Sequence, residues 1–256
     1  MLESALRRDR LVVGTGLLLL TGLAWAYVVS MARAMPGGEG MSMAMPMADP
    51  WSPAHVGWLA LMWTVMMVAM MVPSATPVIL LFASVERRRR SQGVPAVSSA
   101  VFSLGYLLVW TAFAVVAAVL QSGLHAAALL SPAMVSATPW LGGGLLIAAG
   151  IYQWAPVKGA CLAHCRSPLG FFASEWREGA GGALRMGMRH GLYCVGCCWL
   201  IMALLFVAGV MNLVWVAVLA AVVLAEKLLP GGRILSRGIG VLLVAWGLAL
   251  VTGSLR

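Results

Sequence analysis

The sequence predicts an all-α protein, a polytopic bundle of transmembrane helices. Two observations support this class, and a third orients the bundle. Of the 256 residues, 62% are hydrophobic and 10% are charged, and the mean hydropathy is +0.95. Soluble domains are about 45–50% apolar and about 25% charged, so this chain must turn much of its apolar surface toward lipid. A span needs about 20 apolar residues, and the chain has room for about seven.

Seven apolar stretches are predicted to cross the bilayer within one integral membrane domain, residues 1–256. They are residues 11–32, 55–85, 97–121, 138–157, 186–209, 212–229 and 235–254. The first is expected to stay as an uncleaved anchor, since it is longer than the roughly 7–15 apolar residues of a signal peptide; cleavage near Ala32–Ala34 is the alternative. In the fourth span, the small residues Gly144 and Ala148 are expected to let another helix approach closely.

The basic residues orient the bundle. If the N-terminus is cytoplasmic, 15 of the 17 Lys and Arg residues lie inside, and only Arg33 and Arg256 lie outside. By the positive-inside rule, this asymmetry predicts a cytoplasmic N-terminus and an external C-terminus in the inner (plasma) membrane. A net charge of +9 suggests nucleic acid in a soluble protein, but no soluble basic surface remains here, so nucleic acid is excluded as a partner.

The five cysteines all fall on the predicted cytoplasmic side, in two groups. The inner loop 156–185 carries Cys161, His164 and Cys165, and the fifth span carries His190, Cys194, Cys197 and Cys198. Spacings of three and four residues place the second group on one helix face. A reducing cytosol disfavours disulfides, and soft thiolates bind Cu(I) and zinc. The pattern predicts a metal site, with buried cysteines as simple small hydrophobes as the alternative.

Methionines form a second pattern, on the outer side. The outer loop 33–54 contains Met35, Met41, Met43, Met45 and Met47, and the second span follows it with Met62, Met66, Met67, Met70 and Met71. Thioethers are soft, neutral ligands that suit Cu(I), whereas zinc takes nitrogen, thiolate and carboxylate ligands. We expect the Met41–Met47 run to capture Cu(I), and Met66 and Met70 to pass it inward. Methionine as ordinary core filler is the alternative.

Charged residues are rare inside the predicted spans. Glu226 and Lys227 end the sixth span, and because they are adjacent their side chains must diverge. Each is expected to pair elsewhere or reach the interface, in a structural role. Tyr152, Gln153 and Lys158 lie near the inner mouth, where they are expected to support the metal ligands.

Four stretches carry a family resemblance. They are Trp58–Pro73 (WLALMWTVMMVAMMVP), Tyr152–Pro168 (YQWAPVKGACLAHCRSP), Gly191–Asn212 (GLYCVGCCWLIMALLFVAGVMN) and Glu226–Gly232 (EKLLPGG). Together they resemble the DUF2182 family, predicted metal-binding integral membrane proteins, over most of residues 55–232. The resemblance implies a helical membrane protein with a metal site at the five cysteines, and it implies no reaction.

The sequence therefore predicts a copper-handling membrane protein. Cu(I) would bind the outer methionine loop and then the inner cysteines, for transport or for delivery to a membrane metalloenzyme or metallochaperone. The main alternative is a non-transporting accessory or assembly subunit with a structural zinc–thiolate site. A thiol-redox enzyme ranks last because no general base accompanies the thiols. No catalytic constellation is present, so we do not expect an enzyme.

Overall fold

The computed structural model describes residues 2–33, 52–130 and 138–253, and the regular secondary structure there is α-helical. The helices are α1 (Leu2–Arg33), α2 (Pro53–Ser91), α3 (Ser99–Ala126), α4 (Pro139–Tyr152), α5 (Pro156–Arg166), α6 (Pro168–Glu175), α7 (Gly179–Ala203), α8 (Leu205–Ala208), α9 (Leu213–Leu228) and α10 (Gly232–Val251). The predicted all-α class is confirmed. The five methionines of the outer loop lie outside the described residues.

Five helical segments are long and apolar enough to cross a membrane. They are Leu11–Arg33, Pro53–Ser91, Ser99–Ala126, Gly179–Ala208 and Gly232–Val251. The pair α4 and α5, bent by 65°, is a sixth candidate. Helix α9 has 16 residues, about 24 Å at about 1.5 Å per residue, against a hydrocarbon core of about 30 Å. The described part of the chain thus gives five or six candidate spans. The count of about seven and the orientation of the termini stay predictions.

The predicted fourth span and the inner loop after it differ from expectation. Helix α4 stops at Tyr152, and α5 starts at Pro156 in a new direction. Proline disfavours helical geometry in the residue before it and fits the first turn of a helix, so Pro156 accounts for the break. The predicted inner connection over 156–185 is mostly helical, because α5, α6 and the first turns of α7 occupy it. A short helix over Leu169–Glu178 is expected within this connection from the spacing of Phe171, Phe172 and Trp176, and α6 covers most of that stretch. The cytoplasmic location of the connection stays a prediction.

Helix α2 is the most buried of the spans and carries two internal prolines, Pro73 and Pro77. Pro73 has no backbone N–H, so the carbonyl of Ala69, four residues earlier, loses its helical partner. The indole Nε1–H of Trp25 in α1 donates to that carbonyl at 3.1 Å. A carbonyl without a hydrogen-bond partner is costly inside a membrane. The Trp25 side chain supplies that partner, and the hydrogen bond joins α1 to the centre of α2.

Helices α4 and α10 approach closely through glycine. Gly143 faces Gly247, and Gly150 faces Gly240, such that a Cβ added to any of the four would lie 2.7–2.9 Å from the carbonyl oxygen opposite. The predicted close approach of the fourth span is thus present, but through other residues. Gly144 has open space beside it, and Ala148 is exposed. The two contact glycines are seven residues apart, which returns them to one helix face.

Candidate functional site

The site is built where α3 and α7 pack against each other. A Cβ at Gly105 of α3 would meet the Leu184 carbonyl of α7, and a Cβ at Gly187 would meet the Phe102 carbonyl. Small residues at such crossings let helix backbones approach in a membrane. The phenol of Tyr106, beside Gly105, therefore reaches the thiol of Cys194, with Oη 3.1 Å from Sγ.

Four cysteine thiols meet at this crossing, and we call them the thiol group: Cys165 of α5 and Cys194, Cys197 and Cys198 of α7. All four are buried, the three of α7 at no more than 1% exposure. The Cys165 thiol interacts with the thiols of Cys194 and Cys197. The i, i+3, i+4 spacing places the α7 cysteines on the helix face turned away from lipid. All four are free cysteines.

The thiols of Cys197 and Cys198 turn back toward their own helix. Each donates to the carbonyl of Cys194, at 3.1 Å from Cys197 and 2.9 Å from Cys198. The Cys198 sulfur also lies 4.0 Å from the thioether sulfur of Met71 in α2. In an α-helix the Cys194 carbonyl is already the acceptor for the backbone N–H of Cys198, so the helix does not depend on the thiol hydrogen bonds. The thiols of Cys197 and Cys198 can therefore rotate away at the cost of weak hydrogen bonds.

A lysine completes the surroundings of Cys194. Lys227, at the end of α9, is 5% exposed. Its ammonium Nζ donates to the Cys194 sulfur at 2.9 Å and to the Ser74 hydroxyl of α2 at 2.9 Å. Cys194 therefore has a phenol and an ammonium as neighbours, contributed by two other helices. Of the two, the ammonium is a group that stabilises negative charge on sulfur.

A second buried pair lies one residue away along α9. Lys158 of α5 donates to the Glu226 carboxylate at 2.7 Å, and both side chains are at most 2% exposed. Beside them, the Ser236 hydroxyl donates to the Gln153 side-chain oxygen at 2.8 Å. Glu226 and Lys227 thus diverge as predicted, one toward a lysine and the other toward a thiol. The first pairing links α5 to α9.

The arrangement is rich in sulfur but is not a preformed cage. Within the described residues, no group of three or more His, Cys, Asp or Glu side chains is arranged to hold a metal ion. The thiols of Cys197 and Cys198 both donate to the Cys194 carbonyl, whereas the Cys194 sulfur accepts from Lys227. Methionine thioethers, such as that of Met71, are not among these four residue types, although Cu(I) favours soft sulfur of this kind.

Comparison with protein-family models identifies the chain. A model described as PpoB2, copper chaperone, matches residues 60–250, which includes the four cysteines of the thiol group and their neighbours Met71, Ser74, Tyr106 and Lys227. The chain belongs to this copper chaperone family. No curated protein and no solved structure matches it. The match supports the predicted connection with copper, while the resemblance to DUF2182 stays a prediction.

The other predicted residues of this copper chaperone family member lie at different distances from the thiol group. Cys161 is half-buried, and its sulfur lies against Gly196, where a Cβ would be 2.8 Å away. His164 stacks on Tyr193 with ring centroids 4.2 Å apart and contacts the Ala160 carbonyl, so its described contacts are not with thiols.

His190 is closer to the thiol group. Its ring is 2% exposed and packs beside Phe102, Tyr106 and Phe171. Its Nδ1 has no hydrogen-bond partner among the described residues. In α2, Met66 and Met70 are each 1% exposed and lie in the helical core. The five predicted methionines of the outer loop cannot be placed, since they fall outside the described ranges.

Three neighbours of the thiol group were missed as site residues: Ser74, Tyr106 and Lys227. A signal was available for the lysine, because a charge inside a span is costly and marks functional positions by default. It was assigned a structural role from its adjacency to Glu226. Ser74 and Tyr106 have no comparable signal, since single hydroxyls are common in membrane helices. Met71 was noted in the methionine series, but nothing in the sequence placed it beside a cysteine.

Proposed function

We propose that this member of the copper chaperone family carries Cu(I) on the buried thiol group, as cargo rather than as a resident cofactor. The observation that carries the proposal is the meeting of Cys165, Cys194, Cys197 and Cys198 in an apolar interior, with the Met71 thioether beside Cys198. Structural zinc usually takes four ligands in a tetrahedron. The Met71 thioether beside Cys198 is a soft ligand that suits Cu(I) and is not among the usual ligands of zinc.

The methionines of α2 support a route to the thiol group. Met62, Met66, Met67, Met70 and Met71 are all buried, at 0–3% exposure. They extend over about 13 Å along the axis, at about 1.5 Å per residue. Met71 ends the series next to Cys198. We propose that Cu(I) captured by Met41, Met43, Met45 and Met47 passes along these thioethers to the thiols.

The proposed setting is the inner (plasma) membrane, with the thiol group nearer the cytoplasmic side. The carrier then serves transport or delivery to a membrane metalloenzyme or a metallochaperone. Membership of a chaperone family supports a non-catalytic role. The competing proposal, an accessory subunit with structural zinc, relies on the same thiols, so metal identity separates the two.

Metal analysis of purified protein tests the proposal. After reconstitution with Cu(I) or Zn(II) and removal of loose metal, the wild type should retain copper in preference to zinc. Replacing Cys194 and Cys198 with Ser should abolish copper retention at every copper level, since oxygen is a poor ligand for Cu(I). The matched control is Cys161→Ser, a half-buried thiol at the edge of the group. Stoichiometric zinc with little copper would favour the accessory subunit.

The outer methionines have a separate test. Replacing Met41, Met43, Met45 and Met47 with Leu keeps apolar volume and removes sulfur. Copper supply should fall most when external copper is scarce, while retention by purified protein stays unchanged. The control is Met134→Leu, in the predicted outer connection between the third and fourth spans. Wild-type behaviour of the quadruple variant across the copper range would remove the capture step from the proposal.

Topology is tested independently of metal. Reporter fusions after Asp49 and after Arg90 should report opposite sides of the membrane, with Arg90 cytoplasmic. The expectation follows from the clustering of basic residues in alternate loops. Fusions that report the same side, or a cytoplasmic C-terminus, would overturn the proposed orientation and with it the direction of the route.

A further inference from the structure

The ammonium of Lys227 occupies an unusual position. It is buried in the helical interior, and its described partners are the Ser74 hydroxyl and the Cys194 sulfur, each at 2.9 Å. Among the described residues, no carboxylate lies within ion-pair distance of it, whereas the other buried lysine, Lys158, has Glu226. A buried charge without a counter-charge is strongly unfavourable in a membrane. The group positioned to balance it is the sulfur of Cys194.

Three helices, α2, α3 and α9, supply the polar groups around the Cys194 sulfur. Lys227 reaches it from α9 and Tyr106 from α3, while Ser74 of α2 fixes the far side of the ammonium. The Tyr106 hydroxyl donates to the Met71 carbonyl of α2 at 3.2 Å, which holds the phenol in place and leaves the ammonium as the group that can balance charge on the sulfur. The surroundings are therefore organised for a sulfur anion at one fixed place, before any metal arrives.

We infer that Lys227 is the built-in counter-cation of the copper site and sets its preference for a monovalent metal. The inference rests on the proposed function. Cu(I) held by two thiolates carries a net charge of minus one, and the ammonium of Lys227 makes the whole assembly neutral. Each thiol that becomes a ligand loses a proton, which leaves to water. A neutral assembly is the least costly one to keep in an apolar interior.

The same charge count disfavours divalent metals. Zn(II) held by two thiolates is already neutral, and Lys227 beside it would leave one uncompensated positive charge in the interior. A third thiolate would restore neutrality, so Zn(II) needs three of the thiols gathered as thiolates where Cu(I) needs two. Among the described residues no group of three or more His, Cys, Asp or Glu side chains is arranged to hold a metal ion. Lys227 therefore favours the metal that two thiolates neutralise beside it, where the thiols alone accept both.

The test is a comparison of metal affinities in three variants of the full-length protein in detergent. Lys227→Met removes the charge with little change of length, Lys227→Gln keeps a hydrogen-bond donor without charge, and Lys227→Arg keeps the charge. Cu(I) affinity is measured by competition with a chromogenic chelator, Ag(I) serves as a redox-inert monovalent probe, and Zn(II) is measured in parallel. The double variant Lys158→Met/Glu226→Gln is the matched control, because it removes a buried ion pair nearby without changing the net charge.

We expect Lys227→Met and Lys227→Gln to weaken Cu(I) and Ag(I) at least about tenfold, or about 1.4 kcal/mol, with zinc unchanged or tighter. Lys227→Arg should stay close to wild type, and the control should keep the wild-type ratio of copper to zinc affinity. If Lys227 had only a structural role, its replacement would lower the affinity for all the metals together and leave the ratio of copper to zinc affinity unchanged. That result would overturn the inference. If Lys227→Met is not recovered as folded protein, the Gln and Arg variants decide the question alone. Failure of the wild type to bind Cu(I) would instead count against the proposed function.

Discussion

The two lysines of the chain are both buried but have different kinds of partner. Lys158 donates to the carboxylate of Glu226 at 2.7 Å, so its charge is balanced within the fold. Lys227 donates at 2.9 Å to a thiol and at 2.9 Å to a hydroxyl. The first pair joins α5 to α9 and needs nothing further. The second leaves a positive charge facing sulfur, at the place where we propose that a metal binds. The contrast separates a lysine whose charge is balanced within the fold from one for which we propose a role beside the metal.

The largest effect on stability is expected at the ion pair of Lys158 and Glu226. Lys158→Met leaves the Glu226 carboxylate buried without its partner, and removing one member of a buried pair costs about 3–5 kcal/mol. The free energy of unfolding, measured in mixed detergent, should fall by that amount. The double variant with Glu226→Gln should recover most of it. Equal losses in the single and double variants would show that the pair does not act as a charge pair.

A smaller effect is expected at Lys227 when its partner, the Cys194 sulfur, is removed. Cys194→Ala deprives Lys227 of an acceptor and should cost about 1–3 kcal/mol of unfolding free energy. Cys194→Ser keeps an acceptor and should regain most of that stability while losing copper retention. The two measurements, unfolding and bound copper, thus respond differently in the serine variant. Loss of stability in both variants alike would assign Cys194 to packing.

The phenol beside Cys194 should contribute less again. Tyr106→Phe removes one hydroxyl that lies 3.1 Å from the Cys194 sulfur and 3.2 Å from the Met71 carbonyl. The expected loss is about 0.5–1.5 kcal/mol in unfolding free energy. Tyr193→Phe is the control, because its hydroxyl contacts are at 3.5 Å, at the limit of hydrogen bonding. A larger loss in the control than at Tyr106 would contradict the ordering.

The smallest effect is expected at the edge of the thiol group. Cys161 is half-buried and lies against the backbone of Gly196. Cys161→Ser should change the unfolding free energy by less than about 0.5 kcal/mol and leave copper retention near wild type. A loss of copper as great as that of the Cys194→Ser variant would add Cys161 to the ligands and enlarge the site.

The membrane class and the burial of the α7 cysteines were predictable because both depend on local pattern. Hydropathy marks long apolar helices, and the 3.6-residue period places Cys194, Cys197 and Cys198 on one face. The break at Pro156 and the extent of α5 were not predicted, since short helices separated by glycine and proline lack a sustained period. The short helix α6 was predictable from the spacing of its aromatic residues. Residues 212–229 were predicted as a span, but the 16 residues of α9 are fewer than the roughly 20 that a span needs.

The contacts across the site could not be predicted, because they depend on which helices are neighbours. Nothing in one sequence places Tyr106 of α3 beside Cys194 of α7, since their approach depends on the register of Gly105 and Gly187 at the crossing. Likewise, Lys227 lies next to Glu226 in the chain, yet the two side chains serve different partners. Local periodicity gives the face of a helix, whereas the partner of that face is a property of the whole bundle.

The glycine contact between α4 and α10 bears on how the protein is made. Gly143 and Gly247 are about a hundred residues apart in the chain but meet in the bundle. During synthesis, all four helices that surround Cys194 leave the ribosome before α10 does. The helices around the thiol group can therefore pack before α4 has its partner. Docking of α10 is then the late event that covers the glycine face of α4.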